Sequence, residues 1–433
     1  MSGAVASFGA AQPGGAARLR AQRAWALTAW ANHGFVTTVL VGFFPVFLNK
    51  YWAADLPGTR STLYLGIANS AASFVVMLLA PWLGALADRR GQRRRWLGLF
   101  TLVGVVATAL LAAIGKGDWN WALPVFALAS IGLYGGSSFQ DALLVQVATP
   151  QESNRVSAYG YAAGYLGGGL LLLINALLAM KPQWFGIADA VAATRIAFVD
   201  VALWWALFTL PLFRYVPEAP PTAEPSGWAE LRASIKAVLG DATVRRFLVA
   251  FWLYIDAIGT LQQMAVDFGA KVGLPTAGLI GALLMVQFIS LPAAVIFGRL
   301  GDRIGAQRAI LIGLAVFMFV TCWALFLETT WQFFVMAGLV GCVQGGVQSL
   351  SRSLYSRLIP RERAGEYFGF YNMLGKFAAV VGPLLVGVTA AVSGSPRIGV
   401  SSLLLLFVAG AVLLWTMRVP DNAVRAPATH GAA

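Results

Sequence analysis

Twelve long apolar runs divide the chain, separated by polar segments that are mostly short. Each run is close to the roughly twenty residues that a helix needs to cross ~30 Å of hydrocarbon. They fall at 24–49, 62–86, 96–115, 121–147, 157–180, 195–214, 246–269, 274–299, 307–326, 331–358, 365–391 and 398–418, with runs seven and eight meeting at a short Gly/Pro turn. The pattern predicts twelve transmembrane helices. One connection is long, 215–244, and it carries Pro217, Pro220, Pro221 and Pro225. It is expected to be a linker with one surface helix around Trp228 to Leu239, dividing a bundle at 24–214 from a second at 245–418, with tails at 1–23 and 419–433. No other loop has room for a soluble catalytic domain.

The halves share a pattern. Gly84-Ala-Leu-Ala-Asp88-Arg-Arg-Gly91-Gln-Arg-Arg recurs as Gly298-Arg-Leu-Gly-Asp302-Arg-Ile-Gly305-Ala-Gln-Arg308, each between two apolar runs. Gly135-Gly136 recurs as Gly345-Gly346, Pro150 as Pro360, and Tyr159-Gly160-Tyr161 as Phe368-Gly369-Phe370, at offsets between 209 and 214. Two six-helix units from one duplicated ancestor is the simplest reading. In each basic loop an Asp can accept hydrogen bonds from nearby Arg side chains and sit near a helix N-terminus, while the two glycines permit a tight turn. An ordinary basic loop is the competing interpretation.

Composition agrees. Hydrophobic residues make up 58% of the chain and charged residues 11%, against about 25% charged in soluble domains, and mean hydropathy is +0.72. The net charge of +13 would point to nucleic acid in a soluble chain, but 23 of the 31 Lys and Arg border segments on one side. This bias predicts both termini in the cytoplasm and excludes a nucleic-acid reading. The first apolar run is longer than a signal h-region and contains Asn32 and His33, so it is read as a helix that stays in the membrane. Cys322 and Cys342 are assigned to helix packing, and no metal or cofactor is expected.

Chemistry is sought among polar residues inside the runs, because a charge at the bilayer centre costs at least ~2.5–3.5 kcal/mol unless it is paired or faces water. They are Asn32 and His33 in helix 1, Gln140 and Asp141 in helix 4, Asn175 in helix 5, Asp256 in helix 7, Gln344, Gln348 and Arg352 in helix 10, and Asn372 and Lys376 in helix 11. Gln344, Gln348 and Arg352 are spaced to form one helical stripe. Asp256 and Lys376 lie near mid-membrane and are expected to meet, either as a functional pair or as a structural one. Arg352 and Asp141 lie nearer the cytoplasmic ends, where an Arg can snorkel to the interface, act as a gate or bind substrate. The run Gly164 to Gly169 lacks the context of a dinucleotide site and is assigned to close helix packing.

The paired Gly-x-Leu-x-Asp-Arg-x-Gly loops resemble the signature between helices 2 and 3, and 8 and 9, of the major facilitator superfamily. Trp30-Ala-Asn32, the segment Ser157 to Gly169, Tyr254-Ile-Asp256, the segment Gly346 to Ser353 and Phe368-Gly-Phe-Tyr371-Asn372-Met-Leu-Gly-Lys376 resemble the vacuole-effluxer-like family, in a form whose short loops look bacterial. That family includes the autophagy-related vacuolar amino-acid exporter. It tends to carry Asp where this chain has Ala29, and Asn where it has Asp141.

The resemblance implies a fold of two pseudo-symmetric bundles, with helices 1, 4, 7 and 10 around a central cavity and the basic loops as a conformational latch. The latch residues would be Gly84, Asp88, Arg89, Gly91 and Arg93, with Gly298, Asp302, Arg303 and Gly305 in the second copy. With no nucleotide-binding loop, the expectation is a secondary transporter in a bacterial inner membrane, monomeric, moving a small polar solute such as an amino acid or short peptide, with protons as a candidate coupling ion. Substrate and coupling candidates are Asp256, Lys376, Asp141, Arg352, Gln348, Asn32, His33, Tyr371 and Asn372. A non-transporting receptor or scaffold on a transporter fold is the alternative. An enzyme is disfavoured, since His33 and His430 alone provide no nucleophile-base or metal constellation.

Overall fold

The structure, a computed structural model, describes residues 15–56, 58–221, 240–271 and 276–418, together with 236 and 238. Most of the expected linker, the turn between helices 7 and 8, the first fourteen residues and the C-terminal tail lie outside the described residues; the rest of the expected N-terminal tail, 15–23, is helical. Helix α1 begins at Gly15–Gly34 and continues through π-helical turns at Phe35–Phe43 and Leu48–Trp52 as one span, Gly15–Trp52. Then follow α2 (Gly58–Arg90), α3 (Arg93–Leu111), α4 (Trp119–Ala142, extended to Val147), α5 (Ser153–Met180) and α6 (Ala190–Tyr215). The second half contains α7 (Ala242–Lys271), α8 (Thr276–Ile304), α9 (Ala306–Trp323), α10 (Thr330–Leu358), α11 (Ala364–Ser393) and α12 (Pro396–Ser401, resuming at Leu403–Trp415).

Among the described residues ten of these are long and apolar enough to cross a membrane. The other two, α7 and α11, have 30 residues each. All twelve expected helices are present, several running one or two turns past their apolar runs. Local chemistry sets their starts: Asp241 accepts from the main-chain N–H of Thr243 and Val244 at α7, Asp189 from Ala192 at α6, and Thr329 with Gln332 forms a capping box at α10. The outer surface is apolar. Leu203, Leu207 and Leu210 form a stripe along α6, 61–64% exposed, as expected of a face that meets lipid rather than water.

Buried apolar side chains segregate by half. One cluster is drawn almost wholly from α7–α12, and two others entirely from α1–α6. The halves touch through equivalent pairs of helices: α2 packs on α11 as α8 packs on α5, and α4 packs on α11 as α10 packs on α5. Within the first half, α5 meets α1 through a face of glycines. A methyl group at Gly160, Gly164, Gly167 or Gly168 would stand 2.5–2.9 Å from Trp25, His33, Trp30 or the main chain of His33, so the expected close packing is realised there.

The basic loops differ from expectation in one respect. Gly91 and Gly305, at φ +60° and +89°, make the turns, but Gly84 and Gly298 lie inside α2 and α8. They permit contact between the halves instead. A Cβ at Gly84 would stand 2.3 Å from the carbonyl oxygen of Gly365 on α11, and one at Gly298 2.6 Å from the Cβ of Ala158 on α5. These approaches occur at the helix ends on the side where α1 begins and α12 ends. The protein is therefore closed between its halves on the termini side.

Candidate functional site

A cavity of about 300 Å³ lies between the halves. Helix α1 contributes Asn32, His33, Val36 and Leu40, α4 contributes Leu133, Tyr134, Ser137, Gln140 and Asp141, and α5 contributes Tyr161. Arg352 of α10 and Asn372 of α11 come from the second half. Asp141 is two turns closer to the termini side than Leu133, about 12 Å along the helix. Asp141, Arg352 and Asn372 thus form the cavity floor, and the closed termini-side contacts lie beneath it.

The floor is a knot of five helices. Arg352, 5% exposed, donates from one terminal nitrogen to Asp141 at 2.9 Å and from Nε and its other terminal nitrogen to the hydroxyl and carbonyl of Ser157 on α5, at 2.9 and 3.0 Å. Its guanidinium also lies over the rings of Trp25 and Tyr161, 4.7 and 4.5 Å from their centroids. Asn372 donates to the second oxygen of Asp141 at 3.0 Å. The hydroxyl of Ser157 donates across the halves to the carbonyl of Ser349. Snorkelling is thus corrected: Arg352 turns inward because Asp141, Ser157 and two ring faces replace the water it would otherwise seek.

One cavity wall is polar. Asn32 donates to Oε1 of Gln140 at 2.7 Å, and the indole N–H of Trp25 donates to the main-chain carbonyl of Gln140. The Nδ1 of His33 lies 3.1 Å from the Ala29 carbonyl. A carbonyl can only accept, so Nδ1 carries the proton and neutral His33 has Nε2 as its acceptor. Tyr161 and Tyr165 stand edge-on to the imidazole.

The remaining candidates go elsewhere. Asp256 does not line the described cavity. It lies between α7 and α11, accepting from the main-chain N–H of Gly382 at 2.8 Å and the hydroxyl of Thr260 at 3.3 Å, beside Pro383, which interrupts the helical ladder of α11. Lys376 lies on α11, but its side chain is outside the described residues. The polar stripe of α10 is divided: Gln344 bonds to Gln262 and Ser290 inside the second half, half-buried Gln348 lies outside the described lining, and only Arg352 reaches the floor. Tyr371 stacks on Phe251 and Tyr355. Asn175 bonds to Asp200. Cys322 and Cys342 are free and exposed on the apolar outer surface, not packed as expected, since a small thiol is tolerated facing lipid.

Both basic loops reach the opposite half, in different ways. Asp88 accepts from the main-chain N–H of Gly365 and Glu366 at the N-terminus of α11, each at 3.0 Å, and from Nε of Arg93 at 2.5 Å. Arg93 donates in turn to the carbonyls of Arg361 and Glu362. Arg89 is half-buried at the end of α2. In the second loop Asp302 and Arg303 are exposed, and Asp302 accepts from the side chain of Asn154 at the start of α5, which also accepts from Ser353 and Arg357. Sequence reading missed two partners: Asn154, a polar residue outside any apolar run, and Glu218, which accepts from the main-chain N–H of Arg94 and Arg95 and so caps α3 from the start of the linker. Placement three residues beyond α6 gives Glu218 no periodic signal.

Two six-helix bundles closed around a polar cavity, with matched Asp-containing loops bridging them, define a major facilitator transporter. The fold of the human organic anion transporter MFSD10 superposes with a TM-score of 0.75 at 16% identity, covering 92% of this chain and 99% of that one. A family model described as "Vacuole effluxer Atg22 like" matches residues 136–426. The MFS-type transporter YxiO of Bacillus subtilis is 35% identical over 400 residues, 91% of this chain and 94% of YxiO. Autophagy-related protein 22 of Yarrowia lipolytica is 24% identical over 303 residues, 61% of this chain but 50% of that longer protein. The chain belongs to the vacuole effluxer Atg22-like family, as its motifs suggested.

Proposed function

We propose that the protein moves a small zwitterion, an amino acid or a short peptide, by alternating access. The observation that carries this reading is the adjacent carboxylate and guanidinium, Asp141 and Arg352, on the floor of a cavity that lies between the halves. A zwitterion carries the complementary pair, with its ammonium suited to Asp141 and its carboxylate to Arg352. At about 300 Å³ the cavity is at the small end for ligand sites, which favours a single amino acid over a longer peptide. Asn32, His33, Gln140 and Asn372 would read the rest of the molecule. Gln348, Tyr371 and Asp256 would act from the second half rather than by lining this cavity.

With the basic residues inside, both termini are cytoplasmic and the closed face is the cytoplasmic one. An inner-membrane monomer fits this arrangement. Driving energy would come from an ion gradient. Protons are our candidate coupling ion, with Asp141 and Asp256 as the carboxylates available to carry them.

The test is thermal stabilisation of the purified protein against amino acids, dipeptides, sugars and organic acids. Zwitterions should raise the melting temperature, and the shift should vanish in Asp141→Asn and Arg352→Gln. A shift with sugars or organic acids that ignores both variants would overturn the substrate assignment.

A further inference from the structure

Helix α4 is interrupted beside Asp141. Its first segment stops at Ala142, Leu143 is a turn, and one further turn of helix runs from Leu144 to Val147. The break falls between Gln140 and Leu144, the residue four positions on whose N–H would ordinarily reach the Gln140 carbonyl. The indole N–H of Trp25 takes that carbonyl instead, at 2.7 Å. Three residues earlier on α1, Gln22 donates to the carbonyl of Val147 at 3.1 Å, beyond the break. Helix α1 thus braces α4 on both sides of its interruption.

The face of the same indole lies against the guanidinium of Arg352, 4.7 Å from the ring centre. Trp25 is fully buried, and it reaches both partners because α5 presents Gly160 behind it. A Cβ at Gly160 would stand 2.7 Å from the Trp25 ring and 3.1 Å from a terminal nitrogen of Arg352. Tryptophan suits both contacts at once, since its ring is the strongest cation-binding face among side chains and its edge N–H can only donate. One side chain therefore touches the cation of the cavity floor and the main chain next to its carboxylate.

We infer that Trp25 is a positioning residue for ligand binding. Its edge fixes the end of α4 that carries Asp141, and its face fixes the guanidinium of Arg352, so the two charges are held at one spacing before a ligand arrives. The inference rests on the reading that a zwitterion binds at this floor, and adds to it a residue outside the described cavity lining. Because Trp25 acts through both charges and not on the ligand, it sets how tightly ligands bind and leaves their order of preference alone.

The test measures the ligand concentration that gives half-maximal thermal stabilisation of the purified full chain, with the standard amino acids as probes. Trp25→Phe keeps a ring over Arg352 and removes the N–H, and should raise that concentration about three- to tenfold. Trp25→Leu removes both contacts and should raise it more than about tenfold. The ranking of amino acids should stay parental in both. Trp205→Phe is the packing control, because Trp205 is buried in the same half and its indole N–H has no partner among the described residues. It should lower the melting temperature and leave the concentration parental. A parental concentration in the Trp25 variants, or an equal rise in Trp205→Phe, would overturn the inference; if Trp25→Leu does not fold, Trp25→Phe against Trp205→Phe decides. If no amino acid stabilises even the parent, the zwitterion reading falls and Trp25 is judged on the empty protein. Trp25→Leu, or Trp25→Phe in its place, should then lower the melting temperature less beside Arg352→Gln than in the parent. Equal losses in the two backgrounds would overturn the hold on Arg352.

Discussion

Replacing Asp88 by Asn should open the termini side, and the size of the effect follows from its partners. The carboxylate, 3% exposed, serves three donors, two main-chain N–H groups on α11 and Nε of Arg93. An amide has one acceptor oxygen and presents an N–H₂ group in place of the other. At least one buried donor then loses its acceptor, at ~1–3 kcal/mol. Arg93, 1% exposed, also loses its counter-charge, for which a broken buried pair sets a ceiling of ~3–5 kcal/mol. The carbonyls of Arg361 and Glu362 still hold Arg93, so ~2–3 kcal/mol is the reasonable net loss. That is roughly a 30- to 150-fold shift away from closure. The same change at Asp302 should do far less, since Asp302 is exposed and holds one side chain. Electron–electron distance measurements between spin labels at Arg90→Cys and Glu362→Cys, both exposed positions, would show this in a protein lacking Cys322 and Cys342. The parent should give one short distance, and Asp88→Asn a second, longer population. An unchanged distribution in Asp88→Asn, or equal opening in Asp302→Asn, would refute the reasoning.

Two further outcomes are expected. Gly84→Ala should leave each bundle folded yet prevent full closure, because its methyl would meet the Gly365 carbonyl at 2.3 Å; the same label pair should lengthen while thermal stability changes little. Asp256→Asn should keep most of the melting temperature, since an amide can still accept from Gly382 and meet Thr260, whereas Asp256→Leu strands that N–H and should lower stability by ~1–3 kcal/mol, read by thermal denaturation in detergent.

The helices were legible because hydrocarbon selects for length and apolarity, both of which are written in consecutive residues. The bundle division followed from the repeat for the same reason. The site was only partly legible. Asn32, His33, Asp141, Arg352 and Asn372 stood out as polar groups in apolar runs, and the cavity does gather them. Their pairing was hidden because contacts between halves depend on how four helices cross. Snorkelling and inward pairing look alike for Arg352 until Trp25 and Tyr161 are seen packed against its guanidinium. Asp256 illustrates the opposite failure: burial was foreseeable, but its partner is a main-chain N–H, which carries no mark in a sequence. The first glycine of each basic loop misled because glycine serves turns and close helix approach equally well.

The glycine face of α5 limits how this family member can change its cargo. Repacking a site to fit a new solute usually begins with side chains that yield, but between α1 and α5 the contributing atoms on one side are backbone, with no rotamers to adjust. The wall bearing Asn32 and His33 is in effect cast in one piece with α5. Variation in what the cavity accepts is therefore expected from side chains that face the cavity away from that seam, Leu40 and Tyr161 as well as those of α4, α10 and α11, and a survey of related transporters with different cargoes should find its substitutions there rather than at the glycines.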